Sequence, residues 1–168
     1  MDGKSNFIGW LKKLEFYRFC LFSSLTTFLV SIVVGASYSY YIDGVNLFSS
    51  AIIFDIPKKP IYTLLEVSVI APLIETLFNQ LLVITILQKI KLPLTWIIIL
   101  STVSFSSIHL RNSLLSAINT IFLGFVLNYA YLHWLWRTQS RKRAFEGAMA
   151  IHALHNFFCY GLMFFRPG

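Results

Sequence analysis

From Cys20 onward the chain consists of long apolar runs separated by short basic breaks, and that alternation leaves few folds open. The runs extend from about Cys20 to Tyr41, Ile61 to Leu87, Leu92 to Leu110, Ser113 to Trp136 and Ala144 to Phe165. Each can cross about 30 Å of hydrocarbon at a rise of about 1.5 Å per residue. Backbone N–H and C=O groups in hydrocarbon must be satisfied internally, which for runs of this length means helices. The expected fold class is all-α, a polytopic membrane helix bundle of about five transmembrane helices. Composition agrees. Of 168 residues, 57% are hydrophobic and 12% charged, whereas soluble domains carry about 25% charged residues. These values exclude a disordered chain, a disulfide scaffold and a collagen-like fibre, and argue against an ordinary soluble enzyme. Pro60 and Pro93 open the second and third runs, where a missing N–H costs little.

The net charge of +7 reflects topology rather than nucleic-acid binding, because the basic residues cluster in the breaks. With five spans, ten of the 14 Lys and Arg residues fall on the side of the N-terminus, among them Lys12, Lys13, Lys89, Lys91 and Arg141–Arg143. Lys58, Lys59, Arg111 and Arg166 fall on the other. This split places the N-terminus in the cytoplasm. Tyr129, Tyr131, Trp134 and Trp136 are expected to form an aromatic belt at the inner interface, with His133 among them. Phe7, Ile8, Leu11 and Leu14 recur at helical spacing and predict a short N-terminal interfacial helix, leading into a signal anchor rather than a cleaved signal peptide. The segment Ile42–Pro60 is turn-like. The whole of 1–168 is expected to form a single membrane domain: 1–41 the amphipathic segment and first span, 61–165 a four-helix core. Cys20 and Cys159 lie in apolar runs without metal-ligand spacing and read as inert.

Ionisable groups in a span are costly, roughly 2.5 to more than 10 kcal/mol at the bilayer centre, and usually mark function. Glu75 lies near the middle of the second run, three residues after Pro72 and one turn before Asn79. Pro72 should free the carbonyl of Ser68 and kink the helix just outside the glutamate. Glu66 and Glu146 lie near the interfaces and can reach water. The third run ends in Thr102, Ser104, Ser106, Ser107 and His109, a polar wall closed by an imidazole. The fifth carries His152, His155 and Asn156, with His152 and Asn156 on one face and His155 turned away. Small residues Ala144, Gly147, Ala148 and Ala153 allow another helix to approach. By helical rise, Glu75, His109, His152 and Asn156 can meet near the midplane.

Ala71-Pro72-x-x-Glu75, Phe105-x-x-x-His109 and His152-x-x-x-Asn156, in that order and in separate spans, resemble the motifs of the CAAX protease and bacteriocin-processing (Abi) family of intramembrane proteases. The resemblance covers about Ile61 to Leu162, the family's four-helix core. It implies hydrolysis of a peptide bond near the C-terminus of a membrane-associated peptide or protein. Glu75 and His109 would activate water, and His152 and Asn156 would stabilise the oxyanion. Two positions depart from the family pattern. Thr76 stands where a second glutamate is usual, and Gln80 where an arginine is. The paired change suggests a neutral Thr76–Gln80 hydrogen bond in place of an accessory ion pair. Thr76, Asn79, Gln80 and Phe105 are thus expected to support the site.

No cofactor and no metal is expected. Two histidines and a carboxylate could hold zinc, but a His-Glu-x-x-His helix is missing and asparagine is a poor zinc ligand. The expected partners are the lipid bilayer and a peptide or membrane-protein substrate, with no nucleic acid, and the expected location is a bacterial inner membrane. The rival readings are a catalytically silent scaffold or bacteriocin-immunity protein that binds a peptide in the same cavity, and a small proton relay. The lack of inverted repeats weighs against the relay.

Overall fold

The computed structural model describes residues 3–38 and 60–164, which fold entirely into helices and short turns. They comprise α1 (Gly3–Tyr38), α2 (residues 60–89), α3 (Leu94–His109), α4 (Leu114–Thr138) and α5 (Arg141–Phe164). The expected all-α bundle is therefore the observed one. The turn-like Ile42–Pro60 segment lies outside the described residues except for Pro60. Three helical stretches, Glu15–Tyr38, Ile61–Lys89 and Leu114–Thr138, are long and apolar enough to cross a membrane by length and composition. α3 is apolar but shorter, with 16 residues, or about 24 Å of rise. α5 opens on Arg141, Lys142, Arg143 and Glu146, so its apolar part starts only a turn or more into the helix.

The breaks follow local chemistry. α2 closes at Lys91, which takes the left-handed conformation at φ 57°. The N–H groups of Lys91 and Leu92 bond back to the carbonyls of Gln88 and Leu87. Pro93 is extended and starts α3. Ser113 caps α4, its hydroxyl accepting from the Ser116 N–H at 3.0 Å. α4 ends at left-handed Gln139, whose N–H bonds the Leu135 carbonyl. The N-terminal segment differs from expectation. No proline interrupts residues 3–38, so the predicted interfacial helix and the first span run together as one 36-residue helix.

α5 sits at the centre, packed on α1, α2 and α4, while α3 packs chiefly on α4. The small residues of α5 make this possible. Ala144, Gly147 and Ala148 are buried against α1 and α4. A methyl at Gly147 would lie 2.8 Å from Trp134 Cδ1 and 3.3 Å from Phe16 Cε2. The rings of Phe16 and Trp134 meet edge to face at 4.9 Å over this glycine. The expected aromatic belt is therefore divided. Tyr131 and Trp134, three residues apart, share the inward face and are buried, whereas Tyr129 and Trp136 are exposed. His133 stacks between Phe19 and Tyr129, as a belt residue would.

Gly147→Val is expected to push α5 away from α1 and α4 and to destabilise the bundle by about 1–3 kcal/mol, as overpacking does. Gly161 has open space around its Cα, so Gly161→Val should leave the thermal midpoint of the detergent-solubilised protein within about one degree of wild type; a loss at both positions would contradict the assigned packing.

Candidate active site

The helix that carries Glu75 is not a regular α-helix. Two π-helical stretches, Glu66–Ile70 and Leu77–Val83, flank the α-helical Ala71–Thr76. In the first, the Ala71 N–H bonds the Glu66 carbonyl five residues back. The next bond in that register would run from residue 72 to Val67, but Pro72 has no N–H. In that five-residue register the carbonyl that Pro72 deprives of a donor is Val67's, whereas the α-register read from the sequence names Ser68's. Asn156 of α5 supplies the missing donor, its Nδ2 lying 2.9 Å from the Val67 oxygen. At the second change of register, Asn79 Nδ2 donates to the Glu75 carbonyl at 3.0 Å. Single-turn π segments of this kind are frequent at functional sites.

Between the two stretches the Glu75 carboxylate meets imidazoles from two other helices. Its Oε2 lies 3.7 Å from His109 Nε2 and 3.5 Å from His152 Nε2. The three side chains differ in access: Glu75 is 26% exposed, His109 16% and His152 2%. Each imidazole is held at its far nitrogen. His109 Nδ1 is 3.1 Å from the Phe105 carbonyl, an acceptor only, so Nδ1 carries a proton, and in the neutral ring Nε2 offers a lone pair. His152 Nδ1 is 3.3 Å from the Thr76 hydroxyl. With its Nε2 facing a carboxylate oxygen, His152 is placed to donate from Nε2 and to accept at Nδ1 from Thr76. As neutral rings the two imidazoles present opposite roles to the same carboxylate.

Phe105 is fully buried and touches both rings, at 5.1 Å from His109 and 5.5 Å from His152. Its place is secured by Gly124 of α4, where a methyl would stand 2.8 Å from Phe105 Cδ1. Asn79 accepts a bond from Ser104 at 3.3 Å, tying α2 to α3. The expected Thr76–Gln80 pair does not form, because the two side chains turn to different helices. Thr76 reaches His152, whereas Gln80 Nε2 donates to Asn128 Oδ1 at 3.3 Å and Asn128 Nδ2 donates to Thr102 Oγ1 at 3.1 Å. Asn128 went unremarked in the sequence, although a fully buried amide within the apolar run of α4 was visible as a polar interruption between Leu127 and Tyr129.

Asn156 belongs to the cluster through Val67 rather than through Glu75, since one of its amide N–H groups is engaged by the Val67 carbonyl. His155 faces α1, where Nδ1 meets the Thr27 hydroxyl at 3.0 Å and Nε2 meets Cys159 Sγ at 3.5 Å. Thr27 already donates to the Ser24 carbonyl, so this histidine is satisfied within the α1–α5 interface. Cys20 is buried in the same interface nearer the start of α5, with its Sγ near the Gly147 carbonyl. Glu146 pairs with Arg143 at 3.1 Å. Among the described residues no three His, Cys, Asp or Glu side chains are arranged to hold a metal ion.

A membrane helix bundle with a carboxylate and two imidazoles gathered between its helices defines a class, and family comparison specifies it. Residues 57–158 match the family model of type II CAAX prenyl endopeptidase Rce1-like proteins. The match covers more than half of the chain and includes Glu75, His109, His152 and Asn156. The chain belongs to this family and so, at family level, to the CAAX-type intramembrane proteases. It matches no curated protein and no solved structure.

Thr76→Val is expected to leave the buried His152 Nδ1 without its partner and to cost about 1–3 kcal/mol. Thr76→Ser keeps the hydroxyl and should lose little. Thermal denaturation compares the two, and 15N shifts of the His152 ring should report a proton on Nε2 in wild type and a changed tautomer balance in the valine variant.

Proposed function

We propose that the protein is an intramembrane endopeptidase of the glutamate type, cutting a peptide bond near the C-terminus of a membrane-associated peptide or protein. The observation that carries this reading is the placement of one Glu75 oxygen 3.5 and 3.7 Å from the Nε2 atoms of two histidines on separate helices. One water within reach of Glu75 Oε2 and His109 Nε2 gives each acceptor one hydrogen and turns a lone pair toward the scissile carbonyl. As the water oxygen bonds the carbonyl carbon, its proton passes to Glu75, acting as general base. The carbonyl oxygen gains charge and takes the hydrogen bond from His152 Nε2–H. Collapse of the tetrahedral intermediate breaks the C–N bond, and the proton held by Glu75 goes to the leaving amine.

The supporting residues set this geometry. Thr76 orients His152, and Phe105 orients His109 through its carbonyl and packs against both rings. Asn79 joins Glu75's turn to α3 through Ser104. Gln80 and Asn128 join the same helix to α3 and α4. α2 to α5 form the catalytic core of a single membrane domain, and α1 braces α5 from the opposite side. The positive-inside bias supports a cytoplasmic N-terminus, and the compact length and few loops support a bacterial inner membrane as its location.

Glu75→Gln removes the base while keeping the shape of the side chain, and should lower cleavage by about 100-fold or more. His109→Ala should fall into the same range. The test compares membrane proteomes of cells carrying wild-type and Glu75→Gln protein at equal abundance. One or more uncleaved, C-terminally extended precursors should accumulate with the variant. Identical proteomes, together with unchanged phenotypes for both variants, would point instead to a peptide-binding scaffold.

A further inference from the structure

The polar group that Asn156 touches is not in the catalytic cluster but in the backbone of α2. Three observations converge there. The Ala71 N–H bonds Glu66, which sets a five-residue register. Pro72 follows and brings no N–H to the next carbonyl in that register, Val67. The Asn156 amide fills this place at 2.9 Å, from a helix 89 positions further along the chain. An unsatisfied carbonyl in a hydrocarbon setting is destabilising, so a donor from a neighbouring helix has a defined job. Pro72 is fully buried, and the bond from Asn156 to Val67 is itself part-buried between α5 and α2.

We propose that Asn156 is a positioning residue. Its amide caps the Val67 carbonyl that Pro72 leaves without a backbone donor, and so fixes the turn Ala71–Thr76 that holds Glu75 and Thr76 in place. His152, one turn earlier on α5, bonds Thr76 of the same turn. α5 therefore grips α2 at two points, Val67 and Thr76, on either side of Pro72. Glu75 lies next to the second point, so the cap sets where its carboxylate falls relative to His152. The capping role stands on the bonds alone; its consequence for cleavage rests on the proposed proteolytic reaction.

The role predicts a dependence that an oxyanion donor would not have. Pro72→Ala supplies an N–H at residue 72, so Val67 gains a backbone donor and the side-chain cap becomes redundant. Thermal midpoints of wild type, Asn156→Ala, Pro72→Ala and the double variant, each purified in detergent, form a double-mutant cycle. Asn156→Ala should lower the midpoint by several degrees, and Pro72→Ala should recover at least half of that loss. If Asn156→Ala does not accumulate in membranes, recovery of accumulation on adding Pro72→Ala is the same readout. Asn156→Asp sets an acceptor against the carbonyl and should be worse than alanine unless Pro72 is also replaced. Additive losses throughout the cycle would overturn the cap.

Cleavage gives the second arm. With a substrate identified from the accumulated precursors, Asn156→Ala should lower kcat with little change in KM, and the double variant should regain kcat about tenfold or more. A kcat that stays equally low in the double variant, with stability restored, would overturn the positioning role and assign Asn156 to the oxyanion. If wild type cleaves nothing, the proteolytic reading fails while the stability cycle still decides the cap.

Discussion

A carboxylate inside a bilayer needs polar neighbours, and the bundle that supplies them must in turn satisfy each of those neighbours. Glu75 faces two imidazoles, which answers the first requirement. An imidazole has two nitrogens, however, and in a buried site the far one also needs a partner. His109 finds the Phe105 carbonyl on its own helix, and His152 finds the Thr76 hydroxyl on the helix that carries Glu75. The cluster therefore closes on itself: the residue beside the carboxylate orients an imidazole that faces the carboxylate. Moving α5 relative to α2 would break both contacts together, and so the packing of small residues on α5 against α1 and α4 bears directly on the chemistry.

The two departures from the family pattern make sense in the same terms. A buried ion pair gains Coulomb energy but loses hydration on both charges, and it becomes expensive when either partner is lost. With Thr76 and Gln80 both positions are neutral, and each binds a different helix, Thr76 to α5 and Gln80 to Asn128 on α4. A single replacement would have left an unpaired charge in the core. The double replacement leaves a neutral network in which Asn128 extends the link to Thr102 on α3. Random loss of a site would not be expected to provide such partners.

The fold was legible because the constraint of the bilayer is coarse. Apolar run length and the scarcity of charge are enough to define an all-α bundle, and Pro93, Ser113 and the residues before Arg141 mark its breaks. The polar residues of the site were equally visible, since each interrupts an apolar run. What a linear pattern could not give is register. Counting in steps of 3.6 puts Gln80 next to Thr76 and assigns the donor missing at Pro72 to Ser68; two π-helical stretches break that count, Thr76 turns to His152 and Gln80 to Asn128, and the Asn156 amide goes to Val67. It also could not separate Tyr131 and Trp134 from Tyr129 and Trp136, because the aromatic content of an interface belt and of a core seam is the same, and only the neighbouring helices decide which face is buried. Asn128 was missed for a related reason: it has no motif partner on its own helix, and its partners Gln80 and Thr102 lie on α2 and α3.

Exposure orders the site. His152 is enclosed at 2%, whereas Glu75 and His109 keep 26% and 16% of their side chains accessible. Under the proposed reaction, a substrate carbonyl approaches from the open side and meets the groups that hold water before it comes within reach of the His152 N–H. In that reaction the proposed oxyanion donor, His152, would be the deepest element and the proposed base, Glu75, the shallowest. That arrangement suits the chemistry, because an enclosed donor acts in a low-dielectric setting, where a hydrogen bond to developing charge is strongest. The base must still exchange its proton and admit the next water. Neighbouring residues of one helix divide these demands: Glu75 keeps 26% of its side chain accessible while Thr76, the next residue, is fully buried against His152.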